Sequence, residues 1–245
     1  MPKTILNSEK VDRPIIRIEK APFAVVEAYK ALRANIQFAS VGKQVKKILF
    51  TSSNPMEGKT SVSVNLAITL AQAGHKVLMI DSDLRKPRVH RLLDVHSSPG
   101  LTNVLVKISD LESAIKHVDD CGIDVLTSGP VPPNPSELLG SKDMQKLLET
   151  VEQKYDYIIL DTPPSLLISD AAVLSKYVDG VVIVVSYGKT TFDMVEKLKE
   201  SFENVGANLL GCVLNDVKLE KSGKYQYKSK YGYYKYYRYY DEDEN

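Results

Sequence analysis

The sequence contains no tryptophan, two cysteines and five phenylalanines among its 245 residues. Cys121 and Cys212 stand far apart and in no metal-ligand spacing, which argues against both a disulfide framework and a structural zinc site. No uninterrupted apolar run approaches the roughly 18 residues of a membrane span. The opening stretch MPKTILNSEKVDRP lacks the apolar core of a signal peptide, so the chain reads as cytoplasmic. Charge of one sign is missing too. Lys+Arg number 32 and Asp+Glu 31, a net charge of +1, which argues against a protein that coats nucleic acid through bulk charge. The four histidines (75, 90, 96 and 117) are scattered and need no chemical role.

What is present is ordinary for a soluble globular chain: 43% hydrophobic and 26% charged residues, and enough length for one or two domains and a sizeable core. Residues 1–21 read as an irregular arm punctuated by Pro2 and Pro14. From Phe23 to Phe38, Val25, Tyr29, Leu32 and Ile36 recur at helical spacing, with Glu27, Lys30 and Arg33 as a charged stripe on another face. A regular alternation follows. Strands are expected at 46–53, 76–81, 123–129, 155–161, 180–186 and 208–215. Helices are expected at 59–74, 87–93, 101–106, 111–118, 136–154 (one or two), 168–176 and 191–205. Apolar strands alternating with helices predict an α/β fold, a doubly wound and mostly parallel sheet covered on both faces.

Three segments carry chemistry. After the first strand comes Ser53-Asn54-Pro55-Met56-Glu57-Gly58-Lys59-Thr60, followed by Ser61. It matches the phosphate-loop pattern G-x-x-x-x-G-K-[ST] except that Ser53 replaces the first glycine. Backbone N–H groups at a helix N-terminus offer partial positive charge to phosphate oxygens. Gly58 permits close approach, Lys59 reaches terminal phosphates and the Thr60 hydroxyl suits Mg²⁺. The second segment, Met79–Pro87, sets Asp81 and Asp83 at the end of an apolar strand, where open α/β sheets bind ligands. Either or both can hold Mg²⁺ or accept a hydroxyl proton; solvated acids at a strand end are the plain alternative. The third, Tyr157–Pro164, ends a buried strand in Asp161, which fits the acid that positions Mg²⁺ in phosphate-loop NTPases. Asn215, ending the last strand, could pair with a purine edge or simply serve a turn. Arg85 could face phosphate, a neighbouring subunit, or only a surface acid.

The last 28 residues differ in composition. Nine tyrosines (Tyr225, Tyr227, Tyr231, Tyr233, Tyr234, Tyr236, Tyr237, Tyr239 and Tyr240) interleave with lysine and arginine and precede the acidic Asp241–Glu244. Tyr/Lys interleaving without an apolar period predicts a flexible tail. Such a segment could stack on single-stranded nucleic acid, bind an anionic membrane or present hydroxyls as phosphate acceptors. Stacking is indifferent to the hydroxyl, and no Phe or Trp follows Phe202, which favours the acceptor reading and no nucleic-acid partner.

Taken together, TSSNPMEGKTS, IDSDLRKP, SGPVPPNPSELL, ILDTPP and the tyrosine cluster resemble the bacterial tyrosine kinases of capsule and exopolysaccharide synthesis over nearly the whole chain. The resemblance implies a phosphate-loop NTPase fold with deviant Walker motifs, ATP and Mg²⁺ as cofactors, and essential Lys59, Asp81 and Asp83. It also implies autophosphorylation of tail tyrosines in trans and regulation of polysaccharide synthesis and export. Residues 1–45 would then serve oligomer contact through Glu27, Lys30 and Arg33, 46–217 would be the kinase domain, and 218–245 the tail. The partners it implies are a second copy of the chain in a ring, a membrane polysaccharide co-polymerase adaptor that recruits and activates the kinase at the membrane, and a cognate tyrosine phosphatase. The sequence departs from the family at two places. Met56 stands where the loop usually has glycine, and Lys30 where the helix stripe usually has arginine, whose bidentate fork lysine lacks. Two other functions fit the same motifs, a partition or division-site ATPase and a non-enzymatic nucleotide-dependent scaffold. Against the first, Asn54 occupies the position of its signature lysine.

Overall fold

Apolar residues on successive strands alternate between two cores, and this alternation organises the molecule. In the computed structural model, which describes residues 22–39 and 45–217, seven strands form one sheet in the order β3-β4-β2-β5-β1-β6-β7. The strands are β1 (Lys47–Ser52), β2 (Val77–Asp81), β3 (Ile115–Val118), β4 (Ile123–Leu126), β5 (Tyr157–Asp161), β6 (Gly180–Ser186) and β7 (Leu209–Asn215). Leu49, Leu78, Ile80, Ile158, Leu160, Val181 and Ile183 enter one core. Ile48, Phe50, Val77, Met79, Ile159, Val182 and Val184 enter the other. Period two on strands buried on both faces is the signature of a helix-covered parallel sheet.

The nine α-helices of the described residues are α1 (Phe23–Ala39), α2 (Lys59–Gln72), α3 (Val89–Leu93), α4 (Leu101–Leu105), α5 (Leu111–Ala114), α6 (Pro135–Leu139), α7 (Lys142–Glu152), α8 (Asp170–Leu174) and α9 (Phe192–Asn204). Helix α2 is buried on nearly every side between the sheet and α1, and ten of its residues from Lys59 to Leu70 are buried. Tyr29, Leu32 and Ile36 of α1 pack into the core that α2 covers, whereas Val25, expected on the same face, remains exposed. Among the described residues no helix is long and apolar enough to cross a membrane.

One element differs from expectation. The helix expected over 111–118 ends at Ala114, and the chain turns into β3, which pairs antiparallel with β4 (Ile115↔Leu126, Val118↔Ile123). Leu111, Ile115 and Val118 recur at steps of four and three and so imitate a helical face, but tertiary pairing wins over a four-residue run. The sheet therefore carries seven strands rather than six, with one antiparallel edge. The span 136–154 resolves into two helices, α6 and α7, broken by Gly140 and capped by the Ser141 hydroxyl, which accepts from Met144 N–H. The arm at 1–21 and the tyrosine tail at 218–245, with all nine proposed acceptors, lie outside the described residues.

Candidate phosphate-binding and phosphoryl-transfer site

The parallel register of the central strands assembles the site. Asp81 pairs with Asp161 across β2 and β5, and Phe50 of β1 pairs with Asp161 from the other side. The two carboxylates thus end adjacent strands beside the segment linking β1 to α2. That segment, Ser53–Gly58, leaves the sheet and enters α2 through Gly58, whose φ of 84° lies in the left-handed region. The left-handed backbone favours glycine, and a Cβ there would sit 2.0 Å from Asn215 Nδ2 and displace that amide. Met56 also adopts a left-handed backbone, φ 67°. The loop keeps the conformation that glycine usually provides there, and the methionine carries the strain while its side chain stands 72% exposed.

Lys59 and Thr60 open α2 and both reach Asp161. Lys59 Nζ lies 2.7 Å from Asp161 Oδ1, and the Thr60 hydroxyl donates to Oδ2 at 2.7 Å. Ser63, one turn on, adds a longer bond to Oδ1 at 3.4 Å. Asp161 is almost wholly buried, and burial raises its carboxyl above the ordinary range although Lys59 pulls it down. Asp81 is fully buried and is pushed up to about 8, first by burial and then by the neighbouring Asp161 charge. Its Oδ2 accepts Val89 N–H at 3.1 Å and its Oδ1 accepts Asp83 N–H at 3.3 Å. Asp83 uses one oxygen, Oδ1, to accept Lys86 N–H at 2.9 Å and Arg85 N–H at 3.3 Å.

Hydroxyl and carboxylate oxygens are the donor set that Mg²⁺ prefers. Among the described residues no three acidic, histidine or cysteine side chains converge into a ready cage. Mg²⁺ in phosphoryl-transfer sites needs none, because one or two carboxylates, phosphate oxygens and water complete its shell. The residues present fit that ion.

Several side chains do something other than what sequence spacing suggests. The Ser53 and Asn54 N–H groups both donate to the buried Glu57 carboxylate, at 2.8 and 3.0 Å, so they shape the loop. Pro55 is exposed, and Ser61 is part-buried in the first turn of α2. Asn215 Nδ2 donates to the Glu57 carbonyl at 3.1 Å, which spends one of the amide's donors on the loop. Arg85 stands at the surface, its side chain 38% exposed, and pairs with a buried acid. Its Nε and Nη2 bond both oxygens of Asp170, at 2.8 and 3.0 Å, and Nη2 also reaches Ser136 Oγ at 3.1 Å. Asp170 is fully buried and closes the clamp with a further bond from Ser136. Asp170 does not stand out in the sequence, because its partners Arg85 and Ser136 lie far along the chain; Glu57 belongs to the loop pattern, but nothing in the sequence shows that its carboxylate turns inward. On α1, Lys30 bonds Glu27 at 2.7 Å on the surface, while Arg33 Nη1 donates to the Thr69 carbonyl of α2 at 3.0 Å and docks its own helix.

The AAA domain family matches residues 45–210. The tyrosine-protein kinase YwqD of Bacillus subtilis is 44% identical over 221 residues, covering 90% of this chain and 93% of that protein. The kinase domain of Escherichia coli tyrosine kinase ETK superposes with a TM-score of 0.78 at 40% identity, over 83% of this chain and 80% of that one. The cell-division ATPase MinD of Pyrococcus furiosus shares the fold at lower similarity, with a TM-score of 0.59 and 26% identity over 69% of this chain and 71% of that one. With a phosphate loop, two strand-end aspartate motifs and this degree of identity over nine-tenths of its length, the chain belongs to the bacterial tyrosine-protein kinases of the capsule type, built on an AAA-type phosphate-loop domain.

Proposed function

We propose that the kinase binds ATP with Mg²⁺ at 53–61 and transfers the terminal phosphoryl group to tail tyrosines of a neighbouring copy, and that this reaction regulates capsular or exopolysaccharide synthesis and export. The observation that carries the reading is the convergence of Lys59, Thr60 and Asp161 at one point, with Asp81 and Asp83 beside it. Phosphoryl transfer depends mainly on positioning and charge stabilisation. Lys59 would meet the terminal phosphates, and Thr60 and Asp161, with Asp81, would hold Mg²⁺. Bound Mg²⁺ would neutralise charge on the phosphate oxygens. Asp83 is the better placed of the two aspartates to take the tyrosine proton. It is the more accessible, 8% exposed against 0% for Asp81, and both oxygens of Asp81 already accept backbone N–H groups. The tyrosine hydroxyl, with an ordinary pKa of about 10, would give up its proton late in the transfer.

In this reading residues 46–217 form the catalytic body and 218–245 its substrate. Lys30, exposed on α1, and the part-exposed Glu27 and Arg33 face a neighbour, and Arg33 also ties α1 to α2 within its own chain. Asn215 borders the nucleotide's base. The tail segment Lys218–Tyr240 carries +6, from seven basic residues and one acid. Each phosphotyrosine adds about −1.5 to −2. Accumulated phosphate would therefore repel the tail from a site lined with aspartates and dissolve a ring of copies. A membrane co-polymerase adaptor would recruit and activate the kinase, and a tyrosine phosphatase would reset it.

Incubating the full chain with ATP and Mg²⁺ and probing for phosphotyrosine tests the reading. Phosphotyrosine confined to 225–240 supports it. Phosphate release without phosphotyrosine would instead indicate a partition-type ATPase, and binding without turnover a scaffold. Light scattering before and after the reaction tests the ring, and an unchanged mass after heavy phosphorylation would exclude the charge switch.

A further inference from the structure

A buried carboxylate lies inside a loop built to attract anions. Glu57 is 3% exposed, and its two oxygens accept four hydrogen bonds. Oε2 takes the N–H groups of Ser53 at 2.8 Å and Asn54 at 3.0 Å. Oε1 takes the hydroxyls of Ser53 at 2.6 Å and Thr190 at 2.5 Å. The acceptor capacity of a carboxylate is about four bonds, so this one is saturated. Thr190 belongs to the turn between β6 and α9, and its oxygen also accepts Ser186 N–H at 2.9 Å. The main chain of Glu57 is held as well, because its carbonyl accepts from Asn215 at the end of β7.

Two consequences follow from donor accounting. The N–H groups of Ser53 and Asn54 are committed inward and Pro55 has none, so the loop amides left to meet phosphate begin at Met56. Ser53, which breaks the glycine consensus, also acquires a reason. Its hydroxyl donates to Glu57, and a glycine would forfeit that bond.

We propose that Glu57 is the positioning residue of the phosphate loop, fixing which loop amides remain available to phosphate and latching the loop through Thr190 to the turn between β6 and α9. The proposal rests on the reading of 53–61 as the nucleotide's phosphate site. A preformed cradle binds more tightly than one that must be ordered on binding, because the ordering cost is then borne by folding. The nucleotide therefore gains affinity from contacts it never touches.

Calorimetric titration of the full chain with MgADP tests the proposal, with the melting temperature of every variant recorded alongside. Glu57→Ala is expected to weaken MgADP by about tenfold, the scale of one charged hydrogen bond. Ser53→Gly and Thr190→Val should each weaken it by about threefold, less than the alanine change, because each removes one of the carboxylate's four donors and leaves the other three in place. Glu57→Gln, which keeps one oxygen for the two amides, should fall between wild type and alanine. Thr190→Val should add nothing on top of Glu57→Ala, since Thr190 acts through Glu57. A merely structural role would lower melting temperatures and leave affinities measured far below them unchanged. The proposal is overturned by a folded Glu57→Ala protein that binds MgADP within about twofold of wild type, a difference too small for one lost hydrogen bond. It is equally overturned if Thr190→Val costs the same in both backgrounds. Should Glu57→Ala fail to fold, Ser53→Gly and Thr190→Val decide, and unchanged affinity in both overturns it. Failure of the wild-type chain to bind MgADP would instead remove the phosphate-site reading beneath the proposal.

Discussion

Lys59 and Asp161 form an ion pair across the mouth of the sheet, with Nζ 2.7 Å from Oδ1 and side chains only 7% and 1% exposed. In the proposed mechanism these are the cation that meets phosphate and an acid that holds Mg²⁺, and here they hold each other in place. A nucleotide that draws Lys59 to its phosphates, and a cation that draws Asp161, compete with this bond and replace it with two others. The pair therefore keeps both groups positioned without leaving a buried charge alone.

Lys59→Met should abolish tyrosine phosphorylation and also destabilise the fold. Breaking a buried pair usually costs about 3–5 kcal/mol. The cost here should lie toward the low end of that range, because burial favours the neutral form of Asp161 once Lys59 no longer opposes it. The double variant Lys59→Met/Asp161→Asn should recover most of the stability and none of the activity. Urea titration and phosphotyrosine blotting check this; a single variant as stable as wild type would show that the pair carries no weight.

Met56→Gly should stabilise the protein. A non-glycine residue at φ 67° costs about 1–2 kcal/mol, and the exposed side chain contributes little packing in return. Part of the gain is lost to the greater freedom of glycine in the unfolded chain. A net rise of about 0.5–1 kcal/mol is expected in thermal or urea unfolding. A decrease would mean that the methionine packs on the loop more than its exposure indicates.

Most of this site is legible in the sequence because it is written in backbone geometry. Gly58, Lys59 and Thr60 are adjacent in the chain, and strand ends rich in aspartate announce themselves, so the segments 53–61, 79–87 and 157–164 could be placed before any coordinates. Asp81 and Asp161 meet because a parallel register aligns two such ends. What sequence could not reveal are the partnerships that depend on how distant loops return. Arg85 reads as a cation for phosphate, a neighbour or a surface acid; the structure keeps it at the surface, but its acid, Asp170, lies 85 positions away and fully buried. Arg33 reads as part of an oligomer stripe, and its additional bond to the Thr69 carbonyl is invisible because a backbone acceptor leaves no mark in a sequence. The strand at Ile115–Val118 was hidden for a different reason, since its apolar spacing suits a helix as well as a hairpin.

Arg33→Ala should lower stability by about 1 kcal/mol through loss of the bond that ties α1 to α2. Because that bond is within one chain, the loss should persist at concentrations where any assembly has dissociated. Unfolding curves at two protein concentrations tenfold apart check this. A defect that vanishes on dilution would assign the loss to contact with a neighbour instead.

Arg85→Ala should destabilise by about 3 kcal/mol, since it leaves the fully buried Asp170 with Ser136 as its remaining side-chain donor. Arg85→Lys should recover less than half, because an ammonium cannot bond both carboxylate oxygens in a fork. The clamp also anchors the segment whose Arg85 and Lys86 N–H groups hold Asp83 Oδ1. Both variants should therefore lower kcat for tyrosine phosphorylation more than they raise KM for ATP. Equal changes in the two would detach the clamp from the positioning of Asp83.

Asp81 gives the fold a pH dependence with a definite sign. Its carboxyl is raised from 3.8 to about 8, by burial first and then by Asp161, against opposition from Lys59 and Val89 N–H, with a small further push from Asp83. The folded chain therefore keeps a proton that the unfolded chain releases near pH 4. Between those two values the native state binds more protons, so stability is greatest below pH 4 as far as this group is concerned and falls as pH rises toward 8. The slope for one such group is at most about 1.4 kcal/mol per pH unit. Asp161 is raised as well and adds in the same direction. In a chelating buffer, urea unfolding of the wild-type chain between pH 5 and pH 8 should show stability declining by a few kcal/mol. Asp81→Asn carries no titrating proton and should show a visibly shallower decline, with the two curves closest at the acid end and the variant the more stable at pH 8. Parallel curves for wild type and Asp81→Asn would mean that Asp81 is ionised in the folded chain throughout this range, held so by Lys59.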